Sequence, residues 1–159
     1  MVISLDGWSG AQIPKFINLL LRDQACCLHG DGSHCRSFLY VTDVARAFIT
    51  LLHKGAIGQI YNIGTEFEIS NRQVALDLIR LMGKAKSGQE ADLIEYVTDR
   101  AFNDQRYTID SSKLRDLGWF PMVEWEHGLP ATIKWYLEHQ DYWPGMEKVL
   151  VPHPQPQPE

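Results

Sequence analysis

Apolar residues recur at Ile13, Phe16, Ile17, Leu20 and Leu21, the spacing that gathers side chains on one helical face. The patterned part of the chain is therefore expected to open on a short amphipathic helix, whereas residues 1–10 carry no comparable pattern and read as an atypical start. Residues 26–29 and 35–41 have strand character and flank Gly30-Asp31-Gly32-Ser33, a turn composition, which predicts a hairpin. From Asp43 onward, Val44, Phe48, Leu51 and Leu52 line a helix that Gly55 and Gly58 interrupt, and residues 59–63 follow as a strand. Ser70 with Gln73 three places later forms a capping box, starting a helix that carries Val74, Leu78, Ile79 and Met82 and stops at Gly83. Residues 93–97 read as another strand and 111–117 as a short helix ended by Gly118. A last helix is expected to begin near Pro130, a residue suited to a first turn, and to continue through Ile133, Tyr136 and Leu137.

Strands and helices that alternate in this way imply an α/β or α+β arrangement. No internal repeat or linker divides the chain, so residues 11–150 are expected to fold as one unit and the proline-rich residues 151–159 to form an extended, disordered tail. With 45% hydrophobic and 22% charged residues among 159, the composition is that of a globular protein. A net charge of -5 argues against a nucleic-acid partner, because affinity for a phosphate backbone needs clustered Lys and Arg. The longest apolar runs fall far short of the roughly 20 residues that cross a bilayer, so no membrane partner is expected and the setting is read as cytoplasmic.

Cys26, Cys27 and Cys35 are odd in number and two are adjacent, which suits a reducing compartment better than a disulfide framework. With His29 and His34 they raise the thought of a metal site. Adjacent cysteines on a strand point to opposite faces, however, and cannot share one ion. Gly30-Asp31-Gly32 lacks the third glycine and following helix of a dinucleotide loop, so the turn reading prevails. Asn62 and Thr65, at the end of a strand, could face a ligand or cap the chain locally. Arg36, Arg100 and Arg106 carry forked donors suited to phosphate oxygens, with surface ion pairs to Asp43, Asp99, Asp104 or Asp110 as the plainer alternative.

Read together, the run from Gly30 to Val44, which contains Arg36-Ser37-Phe38-Leu39-Tyr40-Val41-Thr42-Asp43, and the run Ile60-Tyr61-Asn62-Ile63-Gly64-Thr65 resemble the distal part of an extended short-chain dehydrogenase/reductase. Asp99-Arg100-Ala101-Phe102-Asn103-Asp104-Gln105-Arg106-Tyr107, followed by Leu117-Gly118-Trp119, most resembles the dTDP-glucose 4,6-dehydratases and the related UDP-glucose 4,6-dehydratases of rhamnose synthesis. The resemblance runs from about Ile13 to Trp143 and implies an α/β fold: the distal part of an extended Rossmann fold with its small substrate-binding subdomain. It further implies a nucleotide-diphosphate sugar, dTDP- or UDP-glucose, as partner. Arg36 would meet the diphosphate, Asn62 would lie beside it, Arg100 would clamp it from the other side, Asn103 would sit near the same group, and His29 would stack on the base. Ala101 stands where the family has proline, Ala11-Gln12 where it often has lysine and an apolar residue, and residues 1–10 depart from its Asn-x-Tyr-Gly-Pro approach.

The family's chemistry uses NAD, a Tyr-x-x-x-Lys pair and an acidic pair for elimination. This sequence has no Gly-x-Gly-x-x-Gly or Gly-x-x-Gly-x-x-Gly, its six tyrosines are followed four places on by Val44, Thr65, Arg100, Ser111, Gln140 and Met146, and it has no Thr-Asp-Glu run. The expectation is a truncated copy that binds the nucleotide sugar, holds no catalytic residues and no NAD of its own, and turns nothing over alone. Its helices, lacking the sheet they pack on, would leave apolar faces exposed. An alternative is a regulatory module that docks on a full-length homologue.

Overall fold

The computed structural model describes residues 12–99, 105–106, 109–142, 144–145 and 150. Helix α1 spans Gln12–Leu21 and buries Ile13, Phe16, Ile17 and Leu20, the residues whose spacing predicted it. Its last turn closes through Gln24 N donating to Leu19 O, with Asp23 in the left-handed region at φ 56°. Strand β1 (Cys26–His29) alternates strictly, with Cys26 and Leu28 inward and Cys27 and His29 half-exposed on the opposite face. Helix α3 (Asn71–Leu81) lays Val74, Ala75, Leu78 and Ile79 against α1 and β1, and Leu129, Ile133 and Tyr136 of α5 (Trp125–Glu138) complete this core. Each such fully buried aliphatic side chain is worth about 1.5–3 kcal/mol relative to exposure.

The strands do not pair as a hairpin. β1 runs parallel to β4 (Ile94–Val97), Cys26 opposite Ile94 and His29 opposite Val97. β2 is only Cys35–Arg36, antiparallel to β3 (Ile69–Ser70). The turn between them exists, but the start of α3 captures it: Arg72 N donates to Gly32 O and Asn71 N to His34 O, both at 2.9 Å. That capture carries the chain away from β1, and no ladder joins β1 to β2 among the described residues. A three-residue-per-turn segment, Glu90–Leu93, leads into β4.

A second, smaller cluster joins Ala47 of α2 (Val41–Lys54), Leu114 of α4 (Ser112–Arg115) and Trp119. Its junction is Asp43, fully buried, which accepts hydrogen bonds from the backbone of Met122 and Val123 at 3.0 Å and from Arg46 Nη1 at 2.7 Å. The opposite face of α2 is open: Phe48, Ile49 and Leu52 are more than half exposed, as are Ile57 and Ile60 beyond the helix.

Three further expectations need correction. Residues 59–63 form no strand and belong to no ladder among the described residues; Lys113 Nζ instead meets Gln59 Oε1 and Ile60 O. Helix α5 starts at Trp125, not near Pro130, so proline lies inside it. The only intrahelical donor this removes is the one facing the carbonyl of Glu126, an exposed residue, while Gly128 and Leu129 are buried and hold the early turns in place. The capping box is half made: Ser70 Oγ accepts from Gln73 N at 3.1 Å, but the Gln73 side chain turns forward to Asp77.

Candidate functional site

The turn after β1 requires glycine. Gly30 and Gly32 have φ of 59° and 73°, and a Cβ at Gly32 would stand 2.8 Å from Leu28 Cδ1 and 3.1 Å from Arg72 Cβ. Asp31 Oδ1 accepts from Ser33 N at 2.9 Å, and the Ser33 hydrogen bonds hold this carboxyl below its ordinary range. On this turn converge both ends of the segment that follows β4. Gly30 N donates to Val97 O, the ring Nδ1 of His29 lies 3.3 Å from Thr98 O, and the Asp99 carboxylate rests where a Cβ on Gly30 would come within 3.1 Å of it. Six residues later the chain returns, Cys35 N donating to Gln105 O at 2.9 Å.

His29 is thus half-buried at the end of β1, and Arg36 follows Cys35 on β2 with its Nη1 donating to the Cys35 carbonyl at 2.7 Å. Among the described residues Arg106 pairs with Glu68 rather than with Asp43, Asp99 or Asp110: its Nε and Nη2 both donate to Glu68 Oε2, and that carboxylate pushes the guanidinium pKa further up. Glu68 precedes β3, so the β2–β3 pairing places Arg36, Glu68 and Arg106 in one neighbourhood, which residue spacing does not reveal. Arg100 and Asn103 lie outside the described residues.

Asn62 is exposed, and its Nδ2 donates to Asp110 O at 3.1 Å. Gly64 permits this docking, because a Cβ there would sit 2.9 Å from Ile109 Cβ and Cγ2, and Ser111 Oγ donates to Gly64 O. Thr65 Oγ1 accepts from Phe67 N, a local turn bond. Asn62 therefore holds one end of the 105–111 stretch and Cys35 the other.

A hollow of about 170 Å³ lies elsewhere, between residues 38–40, 65–67 and 121–129. Phe38 and Phe67 pack on Trp125 there with ring centroids 5.5 and 5.6 Å away. Neither His29, Arg36 nor Asn62 lines it, and it is smaller than the roughly 300 Å³ at which ligand pockets begin.

A dinucleotide pyrophosphate sits on free N–H groups at a glycine-rich passage from strand to helix. β3 passes directly into α3, but the first three donors of α3 are already taken, Asn71 N by His34 O, Arg72 N by Gly32 O and Gln73 N by Ser70 Oγ. At this passage no free N–H group of the first turn is left for a pyrophosphate. Among the described residues no helix is long and apolar enough to cross a membrane.

Comparison with known proteins places this geometry in a family. Residues 9–132 match the family model described as GDP-mannose 4,6 dehydratase. The chain is 49% identical over 143 residues to the human dTDP-D-glucose 4,6-dehydratase, covering 89% of this chain and 41% of that protein. It is 46% identical over 142 residues to an Arabidopsis thaliana trifunctional UDP-glucose 4,6-dehydratase/UDP-4-keto-6-deoxy-D-glucose 3,5-epimerase/UDP-4-keto-L-rhamnose-reductase, covering 89% of this chain and 21% of that one. Among solved structures it resembles the Bacillus anthracis dTDP-glucose 4,6-dehydratase in complex with NAD, with a TM-score of 0.77 at 34% identity over 91% of this chain and 44% of that one. The Streptomyces venezuelae dTDP-glucose 4,6-dehydratase with NAD and TYD bound gives a TM-score of 0.77 at 33% identity, over 86% and 41%. The chain spans about two fifths of the length of the human relative and of these two structures. A family model that takes in most of its residues, and a fold shared at a third identity, make the chain a member of the GDP-mannose 4,6 dehydratase family: a partial α/β unit of the extended short-chain dehydrogenase/reductase Rossmann fold, of the dTDP-glucose 4,6-dehydratase kind.

Proposed function

We propose that this chain supplies the nucleotide-sugar-binding part of a dTDP-glucose 4,6-dehydratase-like protein and that the catalytic and NAD-binding groups lie outside its 159 residues. The observation that carries the reading is the closed anchoring at the turn after β1. Asp99 and Gln105, which bracket the segment containing Arg100 and Asn103, are both held against residues 30–35, one residue before Arg36. Arginines carried on two chain segments that are anchored at one turn would suit a diphosphate, whose charge is best met by several forked donors. His29, at the same turn, would offer its ring to the base, and Asn62 braces the far end of the 105–111 stretch. The sugar nucleotide is dTDP- or UDP-glucose, since relatives of both kinds are similar to this chain. A cytoplasmic setting agrees with the three free thiols.

Calorimetric titration of the chain with dTDP and with UDP tests this. Arg36→Ala and Arg100→Ala should each weaken binding by about 1.5–3 kcal/mol, the worth of a charged hydrogen bond. That corresponds to roughly tenfold to a hundredfold in Kd. Unchanged affinity in both variants removes the clamp.

One observation favours a second role. The open apolar face of α2, continued by the exposed Ile57 and Ile60, has the character of a surface that another part of a protein covers. A full-length homologue is the partner it suits, which would make the chain a binding module acting on that enzyme.

A further inference from the structure

The hollow between residues 38–40, 65–67 and 121–129 has no part in the nucleotide-sugar reading, and its walls have a chemistry of their own. Four aromatic residues line it: Phe38, Tyr40, Phe67 and Trp125. The Phe38 and Phe67 rings are tilted to the Trp125 indole by 43° and 31°, so neither lies flat against it, and ring surface is offered to the hollow from more than one direction. Three of these positions are fixed by their surroundings. Trp125 Nε1 donates to Asp77 Oδ2 at 2.9 Å, Thr65 Oγ1 accepts from Phe67 N at 3.1 Å, and Tyr40 packs on Gly128, where a Cβ would come within 3.2 Å of the ring. One charged residue joins them. Glu124 stands just before α5, its side chain does not cap the helix, and it forms no ion pair among the described residues. No lysine, arginine or histidine lines the hollow among the described residues.

We infer that this hollow is a binding site for a small, fully methylated ammonium cation. Ring faces carry negative charge density, and a cation set among several of them is attracted to each. The size agrees. At about 170 Å³ the space is too small for a nucleotide but suits a trimethylammonium head, since about 150 Å³ already holds a benzene ring. Methylation matters because the walls supply few acceptors. Thr65 Oγ1 is engaged with Phe67 N, so the N–H groups of a primary ammonium would give up water for little in return, whereas a quaternary head has none to satisfy. Glu124 sets the sign of the ligand, and its charge opposes a ligand that brings its own phosphate, so the free cation is favoured over a phosphocholine head group. The site stands apart from the phosphate reading, because neither His29, Arg36 nor Asn62 lines it.

The probes are choline, its uncharged carbon isostere 3,3-dimethylbutan-1-ol, ethanolamine and phosphocholine, titrated calorimetrically into the whole chain at constant ionic strength. Choline should bind, and the isostere and ethanolamine should each bind about fivefold or more weakly, the difference made by cation–ring attraction and by methylation. Glu124→Gln, an exposed and nearly isosteric change, should weaken choline about threefold or more and leave the isostere unaffected. Phe67→Leu, at a residue 38% exposed, should weaken choline more than the isostere, with the melting temperature little changed. Equal binding of choline and the isostere would make the hollow merely apolar and overturn the inference. No heat from choline at tens of millimolar, or choline binding that Glu124→Gln and Phe67→Leu both leave intact, would overturn it too. Tighter binding of phosphocholine than of choline would refute the free cation as the ligand class.

Discussion

Asp43 offers the sharpest test of how the two halves of this fold are joined. Its carboxylate is fully buried, and its two oxygens divide three donors: Oδ1 takes Arg46 Nη1 at 2.7 Å, and Oδ2 takes the backbone N–H groups of Met122 and Val123 at 3.0 Å each. Its main-chain oxygen accepts from Trp119 Nε1 at 2.9 Å, so one residue of α2 gathers the whole 119–123 stretch. Asp43→Asn cannot satisfy all three donors. With its oxygen towards Met122 and Val123, the amide turns its own N–H groups on Arg46, whose side chain is 39% exposed and can swing into water. The cost is then the charge assistance on two hydrogen bonds and a lost ion pair, about 1.5–3 kcal/mol. Asp43→Ala removes every acceptor and leaves two backbone donors stranded, and breaking a buried charged arrangement of this kind costs about 3–5 kcal/mol. Against a typical domain stability of about 5–15 kcal/mol, that is a large share. Urea unfolding followed by tryptophan fluorescence measures it, since Trp119 reports on the junction itself, and the slope should stay constant while the midpoint falls in the order original, Asn, Ala. If both variants unfold within about 0.5 kcal/mol of the original, as ordinary surface substitutions do, Asp43 is not the junction described.

Two further outcomes follow from burial and exposure. Burial, with the adjacent Cys27 adding, pushes the Cys26 thiol up to about 12, so Cys26 should be the last of the three cysteines alkylated by iodoacetamide near pH 8.5. The folded state keeps that proton after the unfolded chain begins to lose it near the usual thiol value of about 8.5, so stability falls as pH rises from there towards 12. Denaturant titrations at pH 8, 9 and 10 should show a shallower decline in Cys26→Ala, and identical slopes would contradict the burial argument. Phe48 and Leu52 are 58% and 84% exposed on α2, and the pair Phe48→Glu/Leu52→Glu should lower binding of an apolar-surface dye and any self-association seen by sedimentation, with the melting temperature little changed. A monodisperse original chain that binds no dye would remove the docking surface.

How much was legible in the sequence depended on whether the signal was local. The capping serine, the three-and-four spacing of apolar residues and the alternation of Cys26 with Cys27 concern neighbours along the chain, and α1, α3 and β1 appeared where those patterns put them. The resemblance to the 4,6-dehydratases was legible for a related reason, since it rests on short runs around Arg36, Asn62 and Arg106 that the comparisons extend over most of the chain. Neither source indicated that Glu68 holds Arg106, because the two are 38 residues apart and only the β2–β3 pairing brings them together.

Strand partnership was likewise undetermined by sequence. Residues 26–29 and 35–36 prefer extended backbone whichever neighbour they find, and in the fold β1 takes a parallel partner 68 residues away while the start of α3 bonds the carbonyls of the turn. The same reasoning covers residues 59–63, extended by composition but without a ladder among the described residues, and Pro130, which the buried turn at Gly128 and Leu129 keeps inside a helix it might have begun. By itself the sequence determined which segments are helical or extended and which family they came from, since propensity, periodicity and short motifs act within a few residues. Only the tertiary structure decided which strands meet and which carboxylate holds which cation, because those choices go to whichever distant group satisfies a buried donor or acceptor first.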